Sequence, residues 1–456
     1  MFRSISNLLS DNPAQSNSGI AVTDIDGDGA YECFVCGVGH RNLVLKWGGD
    51  AFFDIATDFL AAESSQSMGV AAADADGDGR EEIYVVNAEL DEGTFFEGDQ
   101  LFAWRGGRWV DLCATPVNRN LRSRKSGHSV VALDRYGLGR YGFFVAPENS
   151  PSRFFELMSE DKLQDAAIQA GLSRMTLARS LLAGPILSSR IDLFAGSNGT
   201  ANLLFASQAE GNFSESARAV GLSDSNENAR GAALIDANHD GRFDLVVANW
   251  EGPHRIFVQG ATGRFIDLAS TAFAVPSRAR NVVIADFDND GFEEIFFHNF
   301  YEPNRLFAWR EGDWIGVDCG EAVEPEGFGT GAVAGDFNQD GRLELMLAHG
   351  ESEFAPLSLY APEMNRNHWI RVIPMTATGA PARGAFVRLE ARGRTQIRCI
   401  DSGSGYLCQS EPVAHFGLGE ADSADSIYVR WPDGASKSFE SQAANQVLRV
   451  PYPVQQ

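Results

Sequence analysis

The chain has 456 residues, a formal net charge of −25, 44% hydrophobic and 11% aromatic residues. That content supports a large core and excludes wholesale disorder, while the acidity argues against nucleic acid, whose phosphates need clustered Lys and Arg. No apolar run reaches the roughly 20 residues of a membrane-spanning helix, the start MFRSISNLLSDNPAQ lacks an apolar signal-peptide segment, and six cysteines are too few for a disulfide framework.

Phe2–Ser6 reads as a short strand with no partner near it in sequence. The stretch that follows, DIDGDGAYE from Asp24, places acids at alternate positions, a glycine at the sixth and an acid at the ninth. Cys33 and Cys36 come next, as a CxxC within an apparent strand. Their three-residue offset sends the side chains to opposite faces, against a shared metal or redox role. The acidic phrase then recurs as DADGDGREE from Asp74, DANHDGRFD from Asp236, DFDNDGFEE from Asp286 and DFNQDGRLE from Asp336. Between these lie two decayed copies: DRYGLGRYG keeps Asp134 and the sixth-position glycine, and GPILSSRID keeps only Asp192. A repeat of about 50 residues running end to end implies a solenoid, propeller or array.

Each unit reads as four short strands. A small-residue run such as GVAAA leads into the loop, an apolar run such as EIYVVN follows it, and phrases like NRLFAW and FIDLA complete the unit. The second strand is apolar on nearly every residue, so both its faces must be covered. Seven four-stranded blades around an axis satisfy this, giving an all-β chain with a seven-bladed β-propeller over residues 1–362 and a small all-β domain over 366–456. The seventh unit has three strands, ending at Leu357–Ala361, and lacks its last phrase. Phe2–Ser6 resembles that phrase and is expected to close the ring as the outer strand of the last blade. His298 and His349, at strand ends, read as turn caps. Trp47, Trp104 and Trp309 read as recurring core aromatics, and Arg153, Arg255 and Arg305 as blade-to-blade hydrogen bonders.

Oxygen ligands at positions 1, 3, 5 and 9 with a glycine at 6 suit a hard cation that takes six to eight oxygens. The predicted ligands are Asp24, Asp26, Asp28 and Glu32 in the first unit and Asp74, Asp76, Asp78 and Glu82 in the second. The fifth unit offers Asp236, Asn238, Asp240 and Asp244, the sixth Asp286, Asp288, Asp290 and Glu294, and the seventh Asp336, Asn338, Asp340 and Glu344. Two carboxylates about 4 Å apart repel by roughly 4 kcal/mol at an effective dielectric of 20, so three or four in one loop call for a cation. About five structural Ca2+ ions are expected, with the third and fourth units empty. An EF-hand is excluded, because it needs a Glu at position 12, where these loops carry Val35, Val85, Val247, Phe297 and Leu347. The loops resemble the FG-GAP or integrin-type calcium loop, which implies a backbone carbonyl at position 7 as a further ligand. These acids carry most of the net charge, so a basic partner does not follow from acidity.

After residue 366 the repeat stops. Cys399 and Cys408 flank a Gly-Ser-Gly turn and could bridge across a hairpin in an oxidising compartment. The phrases NHWIRV, RGAFVRL, GSGYLCQ, HFGLG and VRWPDG, in this order, resemble the ASPIC/UnbV domain. FG-GAP-like repeats followed by that domain resemble the cartilage acidic protein family over essentially the whole chain. The resemblance implies a secreted or surface-exposed protein. Two places depart from the pattern: APARGA stands where the family has Ser-Asn-Arg before Gly-Ala, and Cys408 where it has Ser.

His128 and His415 have no Ser-His-Asp, Cys-His or HExxH partners in sequence, so no catalytic residue is assigned. The reading is a calcium-binding, non-catalytic binding or adhesion protein at the cell surface, in the periplasm or outside the cell. It is expected to be a monomer, with an extracellular protein or glycan as partner. The alternative is a calcium-stabilised polysaccharide lyase or hydrolase on the same scaffold.

Overall fold

The computed structural model describes residues 1–63, 65–88, 98–123, 127–148, 150–351 and 353–453. Among these, seven four-stranded antiparallel sheets follow one another along the chain. The first comprises Asn17–Thr23, Glu32–Gly37, Leu43–Trp47 and Phe52–Asp54 in that order, from the axis outward. The first strand of each sheet packs against those of its two neighbours, and Asn17–Thr23 packs against Gly329–Gly335 of the seventh, so the ring closes. Phe2–Ser4 hydrogen-bonds antiparallel to Ser358–Pro362 as the outermost strand of the seventh sheet. Phe2 is 2% exposed and meets Phe287 and Phe296 edge-on.

Packing explains the residue choices. The second strands are buried on both faces because neighbouring blades stack over them. Val246 and Phe297, from adjacent sheets, share one apolar cluster, and Cys33 and Cys36 fall in two different ones. The axial strands are built from Gly, Ala and Ser because the blades crowd there. A Cβ on Gly231 would lie 2.8 Å from the Val282 nitrogen of the next blade, and one on Gly331 2.2 Å from the Ser18 carbonyl oxygen. Trp47, Trp104 and Trp309 pack on Phe52, Trp109 and Trp314 of the adjoining outer strands. Arg153 and Arg305 donate to the carbonyls of Leu121 and of Val275 and Pro276, in the segments that lead in from the preceding blade. Arg255 pairs with Asp224 in the same way.

Residues 368–450 form two sheets, a three-stranded one built around His368–Pro374 and a four-stranded one that includes Phe386–Ala391 and Ser423–Arg430. They enclose their own core around Ile370, Val387, Phe416, Ile427 and Trp431. This unit sits on the propeller face that carries the acidic loops. Its segment 402–409 leaves the sheets and enters the central channel. Ser402 and Ala183 exchange backbone hydrogen bonds, as do Gly405 and Ala232, while Gln409 bonds Ile20 and Val22. The Gln409 side chain adds bonds to Ala72, and Asn281 accepts from the Tyr406 nitrogen.

That insertion corrects the hairpin expected between Cys399 and Cys408. Both are free thiols. Cys399 ends a strand beside Gly184 of the fourth blade. Cys408 goes down the channel, where its Sγ accepts from the Ile20 nitrogen at 3.3 Å and lies against Gly331.

Candidate metal centres

Each acidic loop joins the axial strand of a blade to the second strand, on the face beneath the C-terminal unit. Two side chains fold it. The position-1 aspartate accepts from the position-6 glycine nitrogen, as Asp24 does from Gly29 at 2.9 Å, Asp74 from Gly79 at 3.0 Å and Asp286 from Gly291 at 2.8 Å. Asp236 and Asp336 bond Gly241 and Gly341 likewise. These glycines lie at φ between +82° and +96°, a region where a Cβ is unfavourable. The position-9 acid spends one oxygen on the position-2 nitrogen, as Glu32 does with Ile25 at 2.7 Å and Glu294 with Phe287 at 3.0 Å. Glu82, Asp244 and Glu344 repeat the bond. The second oxygen of Glu294 is buried without a hydrogen-bond partner, as is Asp286 Oδ1, whereas that of Glu32 is met by Lys46 at 3.2 Å and that of Asp244 accepts from the Gln259 nitrogen at 2.7 Å.

Carboxylate oxygens converge within 4.8 Å of one another in three loops: Asp24, Asp26 and Glu32; Asp74, Asp76 and Asp78; and Asp286, Asp288 and Asp290. Asp28, Glu82 and Glu294 are not among the converging oxygens. In the fifth and seventh loops position 3 is an amide. Asn238 Nδ2 donates to Asp240 at 2.8 Å and Asn338 Nδ2 to Glu344 at 2.9 Å, beside Asp236, Asp244, Asp336 and Asp340. Converging carboxylates, with buried partnerless acceptors in the sixth loop, are what an oxygen-liganded cation requires, so the first, second and sixth loops fit Ca2+, and the fifth and seventh offer oxygens at the same positions with an amide at the third.

The electrostatics point the same way. Burial pushes the Glu82 carboxyl up to about 8 and that of Glu32 to about 7, with the Asp76 and Asp26 charges adding to each. Burial also raises Asp286, Glu294 and Glu344 well above the usual range, with neighbouring loop carboxylates adding to each. Basic side chains lean over the loops to offset this charge. Lys46 Nζ contacts Asp26 and stands 2.6 Å from Asp28 and 3.2 Å from Glu32. Arg105 reaches Asp76 at 2.6 Å and Glu82 at 3.3 Å, and Arg310 reaches Asp290 at 3.2 Å. Arg242 and Arg342 pair with Asp240 and Asp340. Motif spacing is blind to these residues, which come from the third strands or from position 7.

The third and fourth loops are held without ligands. Asp134 alone accepts from Gly137 and Gly139, and Asp192 ties Leu187 and Ser207.

The C-terminal unit bonds directly to loop aspartates, a contact that local sequence does not show. Thr378 Oγ1 donates to Asp74 at 2.8 Å, Arg371 to Asp336 at 2.7 Å and the Gly417 nitrogen to Asp286 at 3.0 Å. His415 is buried, stacks on Trp369 and shares a 2.6 Å hydrogen bond with Asn289 of the sixth loop. It is a packed interface residue. The His128 side chain lies outside the described residues.

Known proteins resemble the chain over nearly its full length. The family model described as ASPIC and UnbV matches residues 375–456, and that of the FG-GAP-like repeat matches 24–85 and 236–297. Cartilage acidic protein 1 of Mus musculus is 42% identical over 499 aligned positions, covering 99% of this chain and 77% of the mouse protein. Its Homo sapiens counterpart is 41% identical, covering 99% and 75%. The solved structure of YCF48 bound to D1 peptide superposes with a TM-score of 0.49 at 10% identity, over 79% of this chain and 95% of that one.

Proposed function

This chain belongs to the cartilage acidic protein 1 family, and from that premise we propose that it is a calcium-stabilised, non-catalytic binding protein working outside the cytoplasm. The observation that carries the reading is where the acidic loops sit. Three of them give their first aspartate both to their own turn and to the C-terminal unit, so filling them stiffens the blade turns and the seam between the two units together. Occupation then depends on free calcium. A site with a dissociation constant near 10 μM gains about 2.7 kcal/mol in a hundredfold excess of calcium, and almost nothing in a cytosol below about 1 μM. The proposed ligands are the twenty residues at positions 1, 3, 5 and 9 of the five loops.

The non-catalytic part of the reading is supported by the filled channel, since segment 402–409 takes the axial space where a deep propeller pocket would open. A surface for a glycan or protein partner lies instead at the rim, in a cleft of about 1020 Å³ lined by Phe59, Trp104, Trp109, Asp111 and Arg122. Aromatic faces with a few polar groups suit sugar rings or an extended peptide.

The test is binding to arrays of glycans and extracellular-matrix proteins, in calcium and in EDTA. The reading expects calcium-dependent capture of a class of ligands that Trp104→Ala weakens, with no turnover. Release of shortened products from a captured polysaccharide would replace it with the lyase or hydrolase alternative.

A further inference from the structure

On the face of the ring opposite the acidic loops, a second kind of side-chain cluster spans the junction of the sixth and seventh blades. His298 lies on the second strand of the sixth blade, Glu294–Asn299, and His349 ends the second strand of the seventh, Glu344–His349. Glu324 comes from the segment connecting the two blades. His298 Nε2 is 3.7 Å from Glu324 Oε2, and His349 Nε2 is 3.5 Å from Glu324 Oε1. The rings stand nearly perpendicular, at 84°, with centroids 5.6 Å apart. Their sequence reading as turn caps does not hold. His298 is fully buried, and neither of its ring nitrogens has a hydrogen-bond partner among the described residues. Glu324 Oε2 is partnerless as well. Buried polar atoms are rarely left so, and each instance asks for a water or an ion.

Three further features hold this arrangement. Glu324 adopts φ 33° and ψ 70°, a left-handed conformation that costs a non-glycine residue energy and points to an imposed geometry. Tyr360 donates to Glu324 Oε1 at 2.6 Å, fixing the carboxylate as outer-shell partners of metal ligands do. Gly329 is bare where a Cβ would stand 2.7 Å from His298 Nε2, so the imidazole lies against open backbone.

We propose that His298, Glu324 and His349 bind a transition-metal ion of the Zn2+ class, which pins the sixth blade to the seventh. Imidazole with a carboxylate suits zinc and its neighbours, whereas calcium and magnesium prefer oxygen alone. One ligand atom from each of the three residues lies within 4.8 Å of the others, and ligands about 2.0–2.1 Å from a tetrahedral ion stand roughly 3.3 Å apart, so the ion would draw the side chains together by up to about 1.5 Å. Ser358 Oγ, 3.0 Å from His349 Nε2, or a water completes the shell. The site is independent of the calcium loops and sits at the blade that the N-terminal strand completes.

The test uses the whole protein, stripped with EDTA and returned to millimolar calcium so that the acidic loops do not compete. Zn2+ is then titrated by calorimetry, and the loaded protein is examined by X-ray absorption at the zinc edge. The proposal expects one zinc per chain, a nitrogen/oxygen shell with scattering from two imidazoles, and a raised melting temperature. Tyr360→Phe should weaken binding by about 10-fold; His298→Gln and His349→Gln should abolish it. A folded wild-type protein that takes up no zinc in excess calcium overturns the proposal. So does a zinc shell without imidazole, a readout that stands even if the histidine variants do not fold. Undiminished uptake by the Gln variants overturns it too.

Discussion

Lys46 shows at the scale of one residue what an acidic loop demands. Its ammonium lies among Asp26, Asp28 and Glu32, so it offsets their repulsion and competes with a metal ion for the same oxygens. Lys46→Met should therefore act in two directions. In EDTA the protein should lose stability: the exposed pairs with Asp26 and Asp28 are worth no more than about 1 kcal/mol, and the buried Glu32 carboxyl loses its cationic partner as well. In a calcium titration the first loop should bind more tightly than in wild type. Thermal melts in the two conditions check this, and a weaker calcium response in the variant would mean that Lys46 assists the ion. The loop acids were legible in the sequence because each loop is complete within nine residues. Lys46 and Arg105 were not, because they arrive from another strand, and neither was Thr378, more than 300 residues away. Cys399 and Cys408 misled for the same reason. Their spacing suits a hairpin, but the partners that decide the fold of 402–409 are the axial strands of the ring.

The blades themselves are the most legible elements, since a unit that repeats its alternation and its turn announces its strands seven times. The N-terminal strand and the inserted segment occur once each. Phe2–Ser4 completes the seventh sheet from more than 350 residues away. Deleting Met1–Ser6 removes a buried phenylalanine, worth about 3–5 kcal/mol as a large-to-small change, and bares the edge of Ser358–Pro362 to other chains. The truncated protein should melt lower and associate on sizing columns; an unchanged melt and a monomeric elution would refute this. For the inserted segment the sensitive point is Gly405, at φ +88°, where a Cβ would lie 2.1 Å from Asn281 Oδ1. Gly434, at φ +94° with open space around it, is the control. Both glycine-to-alanine changes carry a backbone cost of order 1–3 kcal/mol. Only Gly405→Ala should also loosen the C-terminal unit, seen as faster proteolysis near residues 363–367. Equal proteolysis of the two variants would show that the insertion does not hold the units together.

Across the whole molecule, the channel, the loop face and the C-terminal unit are joined, so ions bound in the loops should stabilise all of it at once. In millimolar calcium the melting temperature should exceed that in EDTA by well over about 3 °C, as several sites worth a few kcal/mol each imply for a protein of this size. A smaller shift would mean that the basic side chains over the loops already offset the charge, and the argument for an extracytoplasmic setting would fall with it. The central claim is that five loops are calcium sites and two are not. Elemental analysis of protein dialysed against millimolar calcium measures this directly. The account predicts five ions per chain, assigned by crystallography to the first, second, fifth, sixth and seventh blades, with the Asp134 and Asp192 loops empty. Two ions or fewer would contradict it.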